Sequence, residues 1–262
     1  MSQGEKFAAG KTGEQGAIKI AAVADIHFRG NSRDRLRPLV SRVNEEAHAL
    51  VLAGDLTDRG SPAEARALVE ELQLVHVPIV AVLGNHDFEE GKADELRRVL
   101  HEAGIVVLDG DTYDLHGQVG FAGAKGFAGG YENHALQPWG ETVLKEFVYE
   151  AVREGLKLER ALATLETRIK VVITHYAPIR ETIDGEPPEV IPFLGSSRLV
   201  DPIDEYGATI VLHGHAHHGV LHGKTPRGVP VYNVSLPVLR HVAPDACCLL
   251  ITVPPSGTGL AV

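Results

Sequence analysis

Cysteine is almost absent from the sequence: the chain has two, Cys247 and Cys248, and they are neighbours. Adjacent cysteines cannot cross-link distant segments, so a fold held together by a disulfide framework is excluded. We interpret both as small apolar strand residues within the run ACCLLITV. The lack of a disulfide framework indicates a reducing compartment.

Long apolar runs are also missing. The first 17 residues, MSQGEKFAAGKTGEQGA, lack the apolar stretch of a signal peptide, and no run reaches membrane-spanning length. Because residues 1–17 are polar and rich in glycine, we expect a flexible tail there. The sequence therefore predicts a cytoplasmic protein without a membrane partner.

Dense runs of lysine or arginine are absent, and the formal net charge is -10. Such a chain would repel a polyanion unless bound cations reverse the sign locally, so a long nucleic acid partner is not indicated. No Gly-Lys-Ser/Thr loop follows a strand, which argues against a Walker-type nucleotide site. A small-molecule or phosphorylated substrate remains, and the sequence does not set the oligomeric state.

Apolar strand-like runs alternate with amphipathic segments up to residue 104, which is typical of right-handed βαβ units. Short strands then follow one another, and they predict a second, partly antiparallel sheet. A length of 262 residues fits one domain, which we place at residues 18–262. We predict an α/β fold: a four-layer α-β-β-α sandwich, with two mixed sheets flanked by helices.

Five apolar runs end on residue types that bind metals. The carboxyl ends of strands in an open α/β sheet meet at one crevice, so these side chains can converge on one point. The runs are IKIAAVADIH with Asp25 and His27, ALVLAGD with Asp55, PIVAVLGNHD with Asn85 and His86, KVVITH with His175, and TIVLHGHAH with His215 and His217.

Carboxylate, imidazole and amide ligands without a thiolate suit divalent manganese, iron, cobalt, nickel or zinc. A carboxylate that bridges two such ions holds them about 3.5–4 Å apart, so both can contact one phosphoryl group. Asp55 is the candidate bridge. The shared water of a metal pair becomes a hydroxide nucleophile near neutral pH. The pattern thus predicts two divalent metal ions and a hydrolytic reaction.

Five motif blocks stand in order along the chain: DIH at 25–27, GDLTDRG at 54–60, GNHD at 84–87, TH at 174–175 and GHAH at 214–217. Their order resembles the calcineurin-like metallophosphoesterase family. The resemblance spans residues 25–217 and implies a binuclear, metal-dependent phosphoesterase. Phosphodiesters are favoured over monoesters as substrates.

The resemblance also implies roles for individual residues. His86 is expected to protonate the leaving oxygen or to hydrogen-bond the phosphate, and Asp58 is expected to orient His86 without touching metal. One metal would be held by Asp25, His27, Asp55 and His217, and the other by Asp55, Asn85, His175 and His215.

Three further residues are candidates for substrate contact. Arg29 and Arg59 flank ligand-bearing loops, where they would either bind phosphate oxygens or form structural ion pairs. His134 lies in a Gly-rich loop, GFAGGYENH, that opens an insertion at residues 126–170. The helical part of this insertion, in which Gly155 is a candidate break, would form a cap over the site, ordinary core packing or an oligomer interface.

Two rival functions remain open. A scaffold or binding protein could keep this fold without catalysis, although no metal ligand or candidate proton donor is missing from the motifs. A nuclease that processes DNA ends is the second rival, and the net acidity of the chain argues against it.

Overall fold

Two mixed sheets pack against each other in the computed structural model, which describes residues 16–30, 34–254 and 260–262. The first sheet has the order β11-β1-β2-β3-β4, formed by β1 (Ile18–Val23), β2 (Ala49–Ala53), β3 (Ile79–Val82), β4 (Val106–Val107) and β11 (Leu249–Val253). Strands β1 to β4 are parallel, and β11 runs antiparallel beside β1. The carboxyl ends of β1, β2 and β3 therefore meet at one edge.

The second sheet has six strands in the order β5-β6-β7-β8-β10-β9. They are β5 (Asp111–Leu115), β6 (Val119–Gly123), β7 (Ile169–Ile173), β8 (Ile210–His213), β9 (His222–Lys224) and β10 (Pro230–Asn233). The central strands β6, β7, β8 and β10 are parallel, while β5 and β9 run antiparallel at the two edges. The predicted partly antiparallel sheet is present.

Helices cover the outer face of each sheet, which confirms the four-layer α-β-β-α sandwich. The first sheet packs against α1 (Arg37–Glu46), α2 (Pro62–Leu72), α3 (Ala93–Glu102) and α6 (Leu236–Val242). The second sheet packs against α4 (Thr142–Thr164) and α5 (Val200–Glu205).

Strand β2 shows why its sequence, ALVLA, is a continuous apolar run. Side chains alternate along a strand, so Leu50 and Leu52 face the helices while Val51 faces the second sheet. Both faces of the strand are covered, and every residue of β2 is buried. This buried strand fixes the position of the loop that carries Asp55.

Helix α4 is one helix of 23 residues, so the candidate break at Gly155 does not occur. Gly155 is buried, and a Cβ added to it would lie 3.1 Å from the carbonyl oxygen of Arg198. The missing side chain thus allows close packing instead of ending the helix. Leu158 and Leu162 pack on the second sheet, so this half of the 126–170 insertion is a layer of the sandwich. A cap role stays a prediction for the rest of it.

The two cysteines precede β11, which begins at Leu249, so their predicted place inside a strand is wrong. The reason is the path of β1: the pairing with β11 ends at Ala22, and Ala24 then bridges to Ser235.

The tail predicted for residues 1–17 lies outside the described residues except for residues 16 and 17. Among the helices that the structure describes, none has the length and apolar character to cross a membrane.

Leu158 and Leu156 offer a matched test of this packing, because they lie two residues apart on α4. Leu158 is fully buried, whereas Leu156 is 44% exposed. We expect Leu158→Ala to lower the free energy of unfolding by about 2–5 kcal/mol, since it leaves a cavity in the core. Leu156→Ala should change it by about 0.5 kcal/mol or less.

Urea unfolding measures both changes in the free energy of unfolding, provided that the variants and the wild type have the same m-value. Equal effects of the two substitutions would contradict the assignment of this helix face to the core.

Candidate metal centre

The ligand-bearing residues follow strand ends, as the sequence predicts. Asp25 and His27 come after β1, Asp55 after β2, and Asn85 and His86 after β3. From the second sheet, His175 comes after β7, and His215 and His217 come after β8. Loops from both sheets therefore deliver side chains to one edge of the sandwich.

These side chains form three overlapping groups whose potential ligand atoms lie within 4.8 Å of one another. Asp55 and His27 each belong to two of the groups, and a bridging role for the Asp55 carboxylate stays a prediction. The groups are Asp25 with His27 and His217, His27 with Asp55 and His86, and Asp55 with His175 and His215. The groups thus contain every residue predicted to bind metal except Asn85. The side chain of Asn85 contacts the cluster through its Oδ1, which lies 2.9 Å from His175 Nε2.

The first half of the cluster contains a polar atom without a partner. His217 Nε2 lies 3.0 Å from Asp25 Oδ1, but His27 Nε2 is buried and makes no hydrogen bond within the described residues. The nearest carboxylate oxygen, Asp55 Oδ2, is 3.8 Å away. A buried polar nitrogen without a partner is unfavourable, and a metal ion at this point would satisfy it. The residues therefore fit a divalent cation.

The second half of the cluster holds the His175 ring in a defined orientation. Its Nδ1 lies 3.0 Å from the carbonyl oxygen of Ala53, so Nδ1–H donates to that carbonyl. Nε2 then points to Asn85 Oδ1 at 2.9 Å and to Asp55 Oδ1 at 3.3 Å. Proteins commonly orient a histidine ligand in this way, through a hydrogen bond from the ring nitrogen that does not bind the metal. Asn85 and Asp55 thus share one contact point with His175.

Burial and the neighbouring charges shift the pKa values of three residues in the cluster. Burial lowers the pKa of His175, but the Asp55 carboxylate outweighs burial and raises that pKa to about 9. Burial raises the pKa of Asp55, and the charge of His175 overrides it, so the net shift is downward. Burial lowers the pKa of His215 to about 4, which leaves this ring neutral and able to bind a metal.

Four of the predicted ligands have left-handed backbone conformations, which are uncommon outside glycine. They are Asp25 (φ 57°), His27 (φ 44°), Asp55 (φ 48°) and His215 (φ 70°). Each such residue costs about 1–3 kcal/mol, and such residues concentrate at functional sites. These conformations turn four side chains, from three loops, towards one point.

Gly84 allows the two loops of the first sheet to approach each other. A Cβ at this position would overlap the carboxylate and the backbone nitrogen of Asp55. Glycine is therefore required here for close approach of the backbone rather than for a positive φ.

Asp87 is a supporting residue that the sequence analysis quoted in a motif but did not assign. Its buried carboxylate accepts hydrogen bonds from Leu56 N at 3.1 Å, from Thr57 N at 2.9 Å and from Gly84 N at 2.8 Å. It thus joins the loop after β2 to the loop after β3. Its position two residues beyond Asn85 is the signal that could have identified it.

His86 lies beside the cluster with its side chain 34% exposed. Its backbone N–H donates to Asp55 Oδ1 at 2.9 Å, and its Nδ1 lies 2.8 Å from the carbonyl oxygen of Asp58. The contact with Asp58 is therefore through the backbone, not through the carboxylate that the resemblance implied. That carboxylate instead pairs with Arg29, with Nε 3.0 Å from Oδ2.

The three predicted substrate contacts have different surroundings. Arg29 is exposed and forms the ion pair with Asp58, which was the structural alternative. Arg59 is exposed, and its backbone N–H donates a hydrogen bond to Glu64. His134 is exposed, and within the described residues no side-chain contact joins it to the metal cluster. Substrate binding by these three residues stays a prediction.

A four-layer sandwich with histidines and carboxylates at the shared edge of its sheets is the architecture of metal-binding phosphoesterases. The chain belongs to the calcineurin-like phosphoesterase family, whose model matches residues 18–219. The match includes all five motif blocks, so the resemblance found in the sequence is confirmed.

Solved structures share this fold at low identity. The phosphopantetheinyl hydrolase of Mycobacterium tuberculosis is 16% identical with a TM-score of 0.65, over 92% of this chain and 98% of that chain. The protein TT1561 of Thermus thermophilus is 16% identical with a TM-score of 0.57, over 94% and 97%. The Plasmodium protein GAP50, an anchor in the inner membrane complex, is 11% identical with a TM-score of 0.51, over 84% and 72%. These likenesses show the fold alone. No curated protein sequence matches the chain.

If Asp55 bridges two ions, its substitution should cause a loss of metal. Asp55→Asn removes a negative charge from the point that two groups of ligands share, so we expect the bound manganese to fall from two ions per chain to one or fewer. Isothermal titration calorimetry and elemental analysis measure this stoichiometry.

Asp58→Asn, three residues further along the same loop, is the matched control and should keep both ions. Two tightly bound ions in Asp55→Asn would rule out a bridging carboxylate at this position.

Proposed function

We propose that this protein is a metal-dependent hydrolase that cleaves phosphoesters, with diesters preferred over monoesters. The observation that carries the proposal is the cluster of ligands at the shared edge of the sheets, in which His27 Nε2 is buried without a partner among the described residues. Membership of the calcineurin-like phosphoesterase family supports the class of reaction.

Two metal positions would share the Asp55 carboxylate. Asp25, His27 and His217 would complete one, and Asn85, His175 and His215 the other. Divalent ions bound there would act as Lewis acids and would neutralise charge on the phosphate oxygens. The ligand types accept manganese, iron, zinc, cobalt or nickel, so the choice of metal depends on availability.

His86 is the proposed proton donor to the leaving oxygen. The carbonyl of Asp58 accepts the hydrogen bond from Nδ1–H, so Nε2 is the ring atom that remains for a substrate. The backbone hydrogen bond to Asp55 keeps the ring beside the bridging carboxylate, and its partial exposure lets a substrate reach it. A protonated His86 could therefore donate from Nε2 as the ester bond breaks.

The preference for diesters rests on charge. A diester carries one negative charge, whereas an ionised monoester carries up to two. Arg29 is paired with Asp58, which reduces the positive charge that it offers to a dianion. The buried carboxylates of Asp25 and Asp55 would also offset part of the positive charge that two divalent ions bring, which reduces the advantage of a second negative charge on the ester.

His86→Ala tests the proposed proton donor. The variant should keep both manganese ions, because its side chain is not among the proposed ligands. Its kcat should fall by about 10²- to 10⁴-fold, which is the usual contribution of general acid catalysis. Hydrolysis of bis(4-nitrophenyl) phosphate and of 4-nitrophenyl phosphate by the manganese-reconstituted protein measures both the rate and the diester preference.

His101→Ala is the control, since His101 is an exposed residue of α3. An unchanged rate in His86→Ala would remove this residue from catalysis. Wild-type protein that binds two manganese ions but hydrolyses neither ester would instead favour the non-catalytic scaffold alternative.

A further inference from the structure

Lys125 lies beside the metal centre, and none of the motif blocks contains it. It follows β6, which is the neighbour of β7 in the second sheet. The carbonyl oxygen of Lys125 accepts hydrogen bonds from His175 N at 2.9 Å and from Tyr176 N at 3.1 Å. The backbone of Lys125 is therefore tied directly to that of a predicted metal ligand.

The side chain of Lys125 is enclosed by aromatic rings. Its Nζ lies 4.8 Å from the ring centre of Phe127, 5.2 Å from that of Tyr176 and 5.6 Å from that of Phe88. Phe88 belongs to the loop that carries Asn85 and His86, so the ammonium group is held between two ligand-bearing loops. The chain has few aromatic residues, with 7 Phe, 6 Tyr and 1 Trp, which makes three around one lysine a specific arrangement.

The ammonium group has little compensation for its charge. Within the described residues, no carboxylate lies within 4.0 Å of Lys125 Nζ, which donates one hydrogen bond, to Gly126 O at 2.9 Å. Burial lowers the pKa of Lys125, although the more distant Glu154 acts in the opposite direction. Rings and burial together remove water from the cation, so an anion placed there would interact more strongly than in bulk water.

A buried carboxylate holds this arrangement in place without neutralising Lys125. Glu154 Oε2 accepts a hydrogen bond from Gly126 N at 2.8 Å, and Glu154 Oε1 pairs with Lys157 Nζ at 2.7 Å. The charge of Glu154 is therefore directed to Lys157. Gly126 has a φ of 77°, which a side chain would strain, so the turn that presents Lys125 requires glycine.

The aromatic residues connect Lys125 to the metal ligands. The ring of Tyr176 lies tilted by 51° against that of His215, with centroids 4.4 Å apart. Its centroid also lies 5.6 Å from that of His175 and 5.8 Å from that of Phe127. Phe88 is 36% exposed and Phe193, beyond Phe127 and Phe147, is 55% exposed, so the outer part of this aromatic wall can contact a ligand.

We propose that Lys125 binds a second phosphate group of the substrate, next to the phosphate that is hydrolysed, with the surrounding rings contacting the organic part. This subsite rests on the proposed function, because it deepens the substrate class of the same centre. Two N–H donors of the ammonium group remain for phosphate oxygens, and lysine binds phosphate as a point charge. The substrate class is thus a phosphoester or phosphoanhydride that carries adjacent phosphates and a flat or apolar group.

Lys125→Met tests the proposal, since methionine can fill an aromatic cage without the charge. The ligands are adenosine 5′-monophosphate and adenosine 5′-diphosphate, which differ by one phosphate. Calorimetry on the manganese-reconstituted chain and inhibition of 4-nitrophenyl ester hydrolysis give the affinity ratio of the pair. We expect the wild type to prefer the diphosphate, and Lys125→Met to reduce this preference by about tenfold or more.

Lys19→Met is the control, because Lys19 is exposed in β1 and should keep the wild-type ratio. A ratio that is unchanged in Lys125→Met overturns the subsite, whether or not the ester is hydrolysed. Absence of ester hydrolysis by the wild type would contradict the proposed function, and the calorimetric ratio would still decide the subsite. The thermal unfolding midpoint of Lys125→Met separates a local change from a loss of fold.

Discussion

The apolar layer between the two sheets is the constraint on which the candidate centre depends. It keeps the carboxyl ends of β1, β2 and β3 beside those of β7 and β8, and neither sheet alone carries a complete set of ligands. The hydrogen bond from His175 to the carbonyl of Ala53 crosses this boundary, because His175 follows the second sheet and Ala53 ends β2. Any shift between the sheets would therefore change the ligand geometry and the orientation of the His175 ring together.

Stability and site geometry oppose each other at this edge. Asp25 and Asp55 are buried carboxylates, and both also have a left-handed backbone. The surrounding structure offsets these costs with directed hydrogen bonds: His215 N donates to Asp25, His86 N donates to Asp55, and the carboxylate of Asp87 joins the two loops of the first sheet. Two divalent cations would give these carboxylates and the buried His27 Nε2 the partners that they lack, so metal binding and folding should support each other.

The sequence predicts those features that depend on strand order. The four layers follow from the alternation of apolar and amphipathic segments, and the convergence of the ligands follows from their place after parallel strands. Features that depend on contacts between distant segments were missed or wrongly assigned. Gly155 reads locally as a helix break, yet it serves the approach of Arg198, and the carboxylate of Asp58 turns to Arg29 instead of His86. Neither partner can be identified from local patterns.

The proposed reaction and its choice of substrate also depend on different parts of the structure. The predicted metal ligands follow the ends of strands, and ions held by them would recognise a phosphate in almost any ester. The surroundings of Lys125 are built from loops of three segments, namely the turn after β6, the turn after Asn85 and the turn after His175. Loops tolerate sequence changes better than strands do. A lysine ammonium group held by aromatic rings in such loops is therefore a feature that can change substrate selectivity while the reaction stays the same. In the proposed enzyme, the choice of substrate would therefore depend less on the metal ligands than on the groups that surround them.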